Sequence, residues 1–184
     1  MANGTQFPPE VYGVFCGGIN QESAQKLSNT FGIASNGGVQ HLHLLYQSTG
    51  GAVGDGVFLY NLFRALPLQL TLYNGGQVSS AAAVAYLGAQ GRKVSAGATF
   101  MFHRSTQTPQ VATVANMAAV VQNLTLDDKR TEAIIRNHVQ FPKKLWAKFG
   151  SHDLYLSAAE AIQFGIAQEI ADFSPPAGAK IFSI

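Results

Sequence analysis

Charge is scarce in this chain. Only 12% of its 184 residues are Asp, Glu, Lys or Arg, about half the share of an ordinary soluble domain. The scarcity is also local. Between Leu27 and Gly91 the only charged side chains are Asp55 and Arg64, and no acid stands between Asp55 and Asp127. A monomer covers its surface with Lys and Glu, so such a stretch points to burial on several sides, in a core, a subunit interface or both. Long basic runs are missing too. The net charge is +2, and Arg92-Lys93, Lys129-Arg130 and Lys143-Lys144 are isolated doublets, which gives nucleic acid no support as a partner. No apolar run reaches the roughly 18 residues of a membrane-spanning helix. The first ten residues lack the basic and apolar segments of a signal peptide,. Cys16 is the only cysteine, so no internal disulfide can form. A cytoplasmic location, without membrane contact, is the expectation.

What is present suits one domain of ordinary size, with 47% hydrophobic residues,. Residues 11–16 read as a buried strand. Asn20 is placed to cap a helix whose Ala24, Leu27 and Phe31 share a face. A strand over 42–46 leads into the loop Ser48-Thr49-Gly50-Gly51 and a helix through Val57, Tyr60 and Phe63 to about Leu66. A third strand covers 69–73, Gly75-Gly76 is expected to turn the chain, and 80–87 is a small-residue helix. Strand and helix in alternation is the α/β signature with a parallel sheet, whose active sites lie at the carboxyl ends of the strands. Short strands are expected near 93–96 and 99–102, the second running into His103. Residues 111–138 read as mostly helical, with Thr125 as a candidate break, and hold most of the charge. Pro142 can start a helix containing Trp146. Ser157 and Glu160 form a capping box for a helix that stops at Gly165. The tail from Ser174 reads as extended.

Several residues could carry chemistry. The loop from Thr49 to Gly56 follows a strand and precedes a helix, but its glycines lack the dinucleotide spacing and no acid follows about 20 residues on. It either allows a tight turn or presents backbone N–H groups to a developing negative charge. Ser79 and Ser80 begin the next helix, as an N-cap or as a nucleophile. His103 is a capped strand end or a base. His41 and His43 alternate and share a strand face, but a metal there needs a third ligand that the sequence does not show; no metal or cofactor is expected. Asp153 is a loop acid or a histidine's partner. Chemistry alone permits a Ser/His/Asp set without choosing between Asp153 and Asp172.

Four motifs in order resemble one family. Gln47-Ser48-Thr49-Gly50-Gly51, Gly76-Gln77-Val78-Ser79-Ser80, Met101-Phe102-His103 and Asp153-Leu154-Tyr155-Leu156-Ser157-Ala158 are similar to the signatures of the ClpP family of serine peptidases. The resemblance runs from about Val11 to Ile170. It implies the ClpP/crotonase-like α/β fold, a spiral of βαβ units with a helical handle, here expected within residues 104–140 of one domain. Ser80 would be the nucleophile, His103 the general base, and Asp153 the group that orients the imidazole. The amides of Gly51 and Ala81 would form the oxyanion hole. Family members cut peptides or unfolded proteins inside seven-membered rings, single or stacked as tetradecamers, and AAA+ unfoldases feed them.

Thr49 replaces the family's loop proline, the segment before the first strand is only about ten residues, and His41, His43 and Leu45 stand where relatives use aromatics to dock an ATPase. These departures bear on docking and double-ring assembly and leave the triad intact. Two other readings are an acyl-CoA enzyme on the crotonase fold and a non-catalytic ring subunit. The low-charge stretch is expected to pack between neighbouring subunits, and the charges of Asp127 to Arg136 to pair across rings or face water.

Overall fold

Alternation of buried and half-buried side chains shapes the first strands of the computed structural model, which describes residues 6–108 and 113–184. In β1 (Glu10–Cys16) and β2 (His41–Ser48), one face carries Phe15, Leu42, Leu44 and Tyr46 into the core, while Tyr12, His41, His43 and Leu45 stay half-buried on the other. Between the two strands, α1 (Gln21–Asn36) begins at Asn20. The Asn20 side chain accepts the Ser23 amide, and the Ser23 hydroxyl accepts the Asn20 amide. Its apolar stripe, Ala24, Leu27 and Phe31, is buried against the sheet and α2 (Val53–Ala65).

The next strand, β3 (Gln69–Ser79), organises the rest. Its first half pairs with β4 (Gly91–Val94) and its second half with β5 (Thr99–Phe102). The small-residue helix α3 (Ala81–Tyr86) follows β3 directly in the chain, before both partners, and is buried at every position. Its alanines follow from close packing: a β-carbon at Gly56 of α2 would lie 2.7 Å from the Ala81 carbonyl oxygen. Then come α4 (Val114–His138), α5 (Lys143–Phe149), β6 (Leu154–Ser157), α6 (Ala158–Gln163), β7 (Glu169–Ile170) and β8 (Ile181–Ser183). The sheet order is β6-β5-β3-β2-β1-β8, with β4 and β7 branching from β3. Every pairing is parallel except β5 with β6. The result is an α/β fold of successive βαβ units, as expected. No helix among the described residues is long and apolar enough to cross a membrane.

Two details differ from expectation, and one adds to it. Gly75-Gly76 does not turn the chain; β3 continues through it to Ser79. The register against β2 slips between Tyr46 and Ser48. A β-carbon at Gly75 would lie 2.5 Å from Leu45, and one at Gly76 equally close to Gln47. The glycines therefore make room for side chains of β2 at an irregularity. Thr125 does not break α4: its hydroxyl donates to the Val121 carbonyl at 2.7 Å within one continuous helix. The start expected near Val111 lies outside the described residues. Finally, the extended tail contains β8, which pairs with β1 through Tyr12, Gly13 and Val14.

His138 ends α4 half-buried, with its Nε2 sharing a 2.9 Å hydrogen bond with the Tyr60 hydroxyl. Burial, with Arg92 and Arg64 nearby, pushes its pKa below the ordinary histidine value. The folded chain thus resists a proton that the unfolded chain takes up near pH ~6.5. This stabilisation is complete above that pH and is lost as the pH falls through the lowered folded value. Urea unfolding should give a lower midpoint at about pH 5 than at about pH 7.5, and His138→Gln should shrink that difference.

Candidate active site

Two strand-to-helix turns meet at the carboxyl ends of β2 and β3. The first contains Gly50 and Gly51, both at positive φ (96° and 151°). Ile19 holds it: the Ile19 amide donates to the Gly50 carbonyl at 2.9 Å, and the Ala52 amide donates to the Ile19 carbonyl at 2.8 Å. A side chain at Gly51 would run into that Ile19 carbonyl. The second turn is Ser80, at φ 55° and ψ −129°, the single non-glycine residue at positive φ among the described residues. Its amide donates to the Met101 carbonyl at 2.8 Å, which clamps the turn beside the end of β5. The two turns touch. A β-carbon at Gly50 would lie 2.6 Å from the Ser80 β-carbon and 2.8 Å from the Ser79 carbonyl.

This geometry separates the two serines. Ser79 is fully buried, and its hydroxyl accepts the Gln77 side-chain amide at 2.9 Å. Ser80 occupies the N-cap position of α3 without making a side-chain cap bond. Its Oγ instead lies 2.7 Å from His103 Nε2. A strained serine at a sharp strand-to-helix turn, facing a histidine, matches a nucleophile and its base better than it matches a cap. Gly51, Ala81, Ser80 and His103 line one cleft. The Gly51 and Ala81 amides have no acceptor among the described residues. Unpartnered backbone donors of this kind can stabilise an oxyanion.

Asp153 is placed but not engaged. Antiparallel pairing of β5 with β6 ends with Phe102 opposite Leu154, and continuing that register by one step puts His103 opposite Asp153. Asp153 does not line the Ser80 cleft but a neighbouring one that shares His103; it is exposed, and among the described residues no hydrogen bond joins the two. Asp172, the alternative acid, follows β7, which pairs with β4 rather than β5.

The segment after His103 is tied to α4 by contacts that the sequence did not suggest. Arg104 bonds Glu132 at 2.6 Å and lies over the Phe149 ring at 4.7 Å. The Ser105 amide donates to Asp128 at 2.7 Å. Glu132 also bonds Arg136 at 2.6 Å, and Asp127 bonds Arg130 at 2.7 Å. Burial disfavours the Glu132 charge, but hydrogen bonds from Arg136 and Arg104 outweigh it and hold the carboxyl below the usual range. Asp127, Asp128 and Glu132 thus bond within the chain, which was not expected, while Lys129, Arg130 and Arg136 are exposed to water, one of the two expected outcomes. The available clue was Asp128, Glu132 and Arg136 at a four-residue spacing, with Arg104 directly after His103.

The model of the Clp protease family matches residues 12–174, and the chain belongs to that family. The ATP-dependent Clp protease proteolytic subunit 2 of Pseudomonas aeruginosa is 23% identical over 157 residues, which is 84% of this chain and 77% of that protein. A mutant of ClpP1 from Listeria monocytogenes superposes with a TM-score of 0.76 at 21% identity, covering 90% of this chain and 92% of its own. That likeness shows a shared fold.

The contact between the turns makes Gly50 intolerant of substitution. Gly50→Ala should lower stability by about 1–3 kcal/mol through strain and overpacking, read as a reduced denaturant midpoint with an unchanged slope.

Proposed function

We propose that this member of the Clp protease family is a serine endopeptidase that cuts peptides or unfolded proteins through an acyl-enzyme on Ser80. The observation that carries this reading is the 2.7 Å approach of Ser80 Oγ to His103 Nε2 at a strained turn. With the imidazole proton on Nδ1, Nε2 accepts the hydroxyl proton as Oγ attacks the substrate carbonyl. The Gly51 and Ala81 amides then donate to the oxyanion, and the imidazolium returns its proton to the leaving amine. Water repeats the sequence to release the acyl group. Asp153 is the third member. The register that sets it opposite His103 supports this role, and a side-chain rotation toward Nδ1–H completes the triad. None of the residues lining the Ser80 cleft is acidic, which disfavours an acyl-CoA enzyme relying on a carboxylate.

The working form is an oligomeric ring, a heptamer or two stacked heptamers. Val114, Met117 and Val121 support it, since they fall on one stripe of α4 and are exposed in the single chain,. The Pseudomonas relative is named as ATP-dependent, so an AAA+ unfoldase is the expected source of unfolded substrate.

A serine-reactive phosphonate should add once to the chain, seen by intact mass, and Ser80→Ala should lose both the adduct and peptide hydrolysis. Full hydrolysis by Ser80→Ala would sink the assignment. Asp153→Asn should lower kcat by about 10²–10⁴ while leaving the fold intact. Native mass should be a multiple of 19.6 kDa; a clean monomer would remove the ring.

A further inference from the structure

The sheet face that the helices leave uncovered gathers a second chemical cluster. Parallel register sets Glu10 of β1 opposite His41 of β2, and Tyr12 opposite His43. The two histidines alternate on β2, with ring centroids 3.8 Å apart. A carboxylate oxygen of Glu10 and one nitrogen from each ring all lie within 4.8 Å of one another. The third donor that the sequence did not reveal thus comes from the neighbouring strand.

The rings are already oriented. His41 Nε2 is 2.8 Å from the Thr71 hydroxyl, and His43 Nδ1 is 3.0 Å from the Tyr73 hydroxyl. Each imidazole therefore has one nitrogen fixed by a hydroxyl and the other free. Tyr12 stacks on His43 at 4.8 Å, and Phe173 packs edge-on against Tyr12 and Tyr73. His43 Nε2 is shielded from water yet has no hydrogen-bond partner. An unsatisfied buried polar atom is costly, and its presence asks what would satisfy it.

We propose that Glu10, His41 and His43 bind a divalent transition-metal ion of the zinc type. Two imidazoles and one carboxylate are a known zinc donor set, with a fourth position left for water. Nitrogen donors disfavour Mg²⁺ and Ca²⁺. Hydroxyls on the opposite ring nitrogens do what outer partners do at metal sites, fixing tautomer and ring direction. Tetrahedral coordination brings donors to roughly 3.4 Å apart, from bonds of about 2.0–2.2 Å. Rotation of Glu10 closes the remaining distance. It is exposed at the start of β1, and its contact is a 3.2 Å bond from the Tyr12 hydroxyl. Lys93, which lies over the Tyr73 ring on this face, is paired with Glu169 at 3.0 Å. The cluster lies at the amino ends of the strands, about 20 Å along β2 from the Ser80 turn. The ion would therefore tie β1 to β2 and take no part in catalysis.

The test is calorimetric titration of the metal-stripped full chain with Zn²⁺, paired with thermal unfolding. The wild type should bind about one ion per chain and unfold at a higher temperature with Zn²⁺ present. Glu10→Gln and His41→Gln should each weaken binding at least about tenfold and abolish the thermal shift, while His152→Gln should retain both. Glu10 is exposed, so its variant keeps the fold and reads the site alone. Absence of Zn²⁺ binding by the wild type would overturn the proposal. Unchanged affinity in the Glu10→Gln, His41→Gln double variant, or loss of binding in His152→Gln, would also overturn it.

Discussion

Carbonyl oxygens of Ile19, Ser79 and Ala81 crowd the places where side chains would begin at Gly51, Gly50 and Gly56. The close approach of backbone to backbone that this requires is the constraint on which the candidate site depends. It presses the Gly50 turn onto Ser80 and holds Ser80 in a conformation that costs about 1–3 kcal/mol for a residue with a side chain. That strain is held by the surroundings. Val78, Phe100 and Phe102 are almost fully buried beside it, and each large apolar side chain contributes about 1.5–3 kcal/mol by burial. The Ser80 amide bonded to Met101 extends the β3–β5 ladder to the turn itself. Relaxing the turn would break that bond and part the hydroxyl from the imidazole.

Rigidity is unevenly distributed over the proposed triad. Ser80 and His103 stand at the ends of paired strands, and Arg104, Glu132 and Asp128 fix the segment that follows His103 onto α4. The Glu132 pairs are partly shielded from solvent, so they are screened less than surface pairs and hold their geometry better. Asp153 is exposed, in the connection between α5 and β6. Two members are thus set by the core and the third by a surface loop. The rotation of Asp153 that the proposed triad requires needs no rearrangement of the buried sheet.

The sequence made local features legible and left tertiary pairing hidden. The Asn20 and Ser157 caps, the apolar stripe of α1 and the Gly50-Gly51 loop each follow from residues close together in the chain. The continuation of β3 through Gly75-Gly76 was not legible, because it depends on where Leu45 and Gln47 of the neighbouring strand lie. The same holds for β7 and β8, two and three residues long, which exist only through their partners β4 and β1. Of the candidate site, chemistry suggested a Ser/His/Asp set from the sequence, and it took the pairing of β5 with β6 to favour Asp153 over Asp172. The internal pairing of the α4 charges was not visible, nor was Glu10 beside His41, because strand register is not written in either strand alone.

Burial within one chain explains only part of the charge scarcity. The alanines of α3 and the inner faces of β2 and β3 are enclosed by the fold and could not carry charge at any oligomeric state. Other low-charge residues are not enclosed. Ile33 and Phe58 are 61% and 47% exposed, and His41, His43 and Leu45 lie on a sheet face without a helical cover. An isolated monomer gains nothing from withholding Lys and Glu at such positions, since exposed charge favours solubility. Charge on this face comes from outside the stretch, at Glu10 and in the Lys93–Glu169 pair. Within the stretch only Asp55 and Arg64 are charged, and the rest of its surface is uncharged and partly apolar, the composition of an interface core more than of a solvated face,. A second body against these residues would account for what the single fold leaves unexplained.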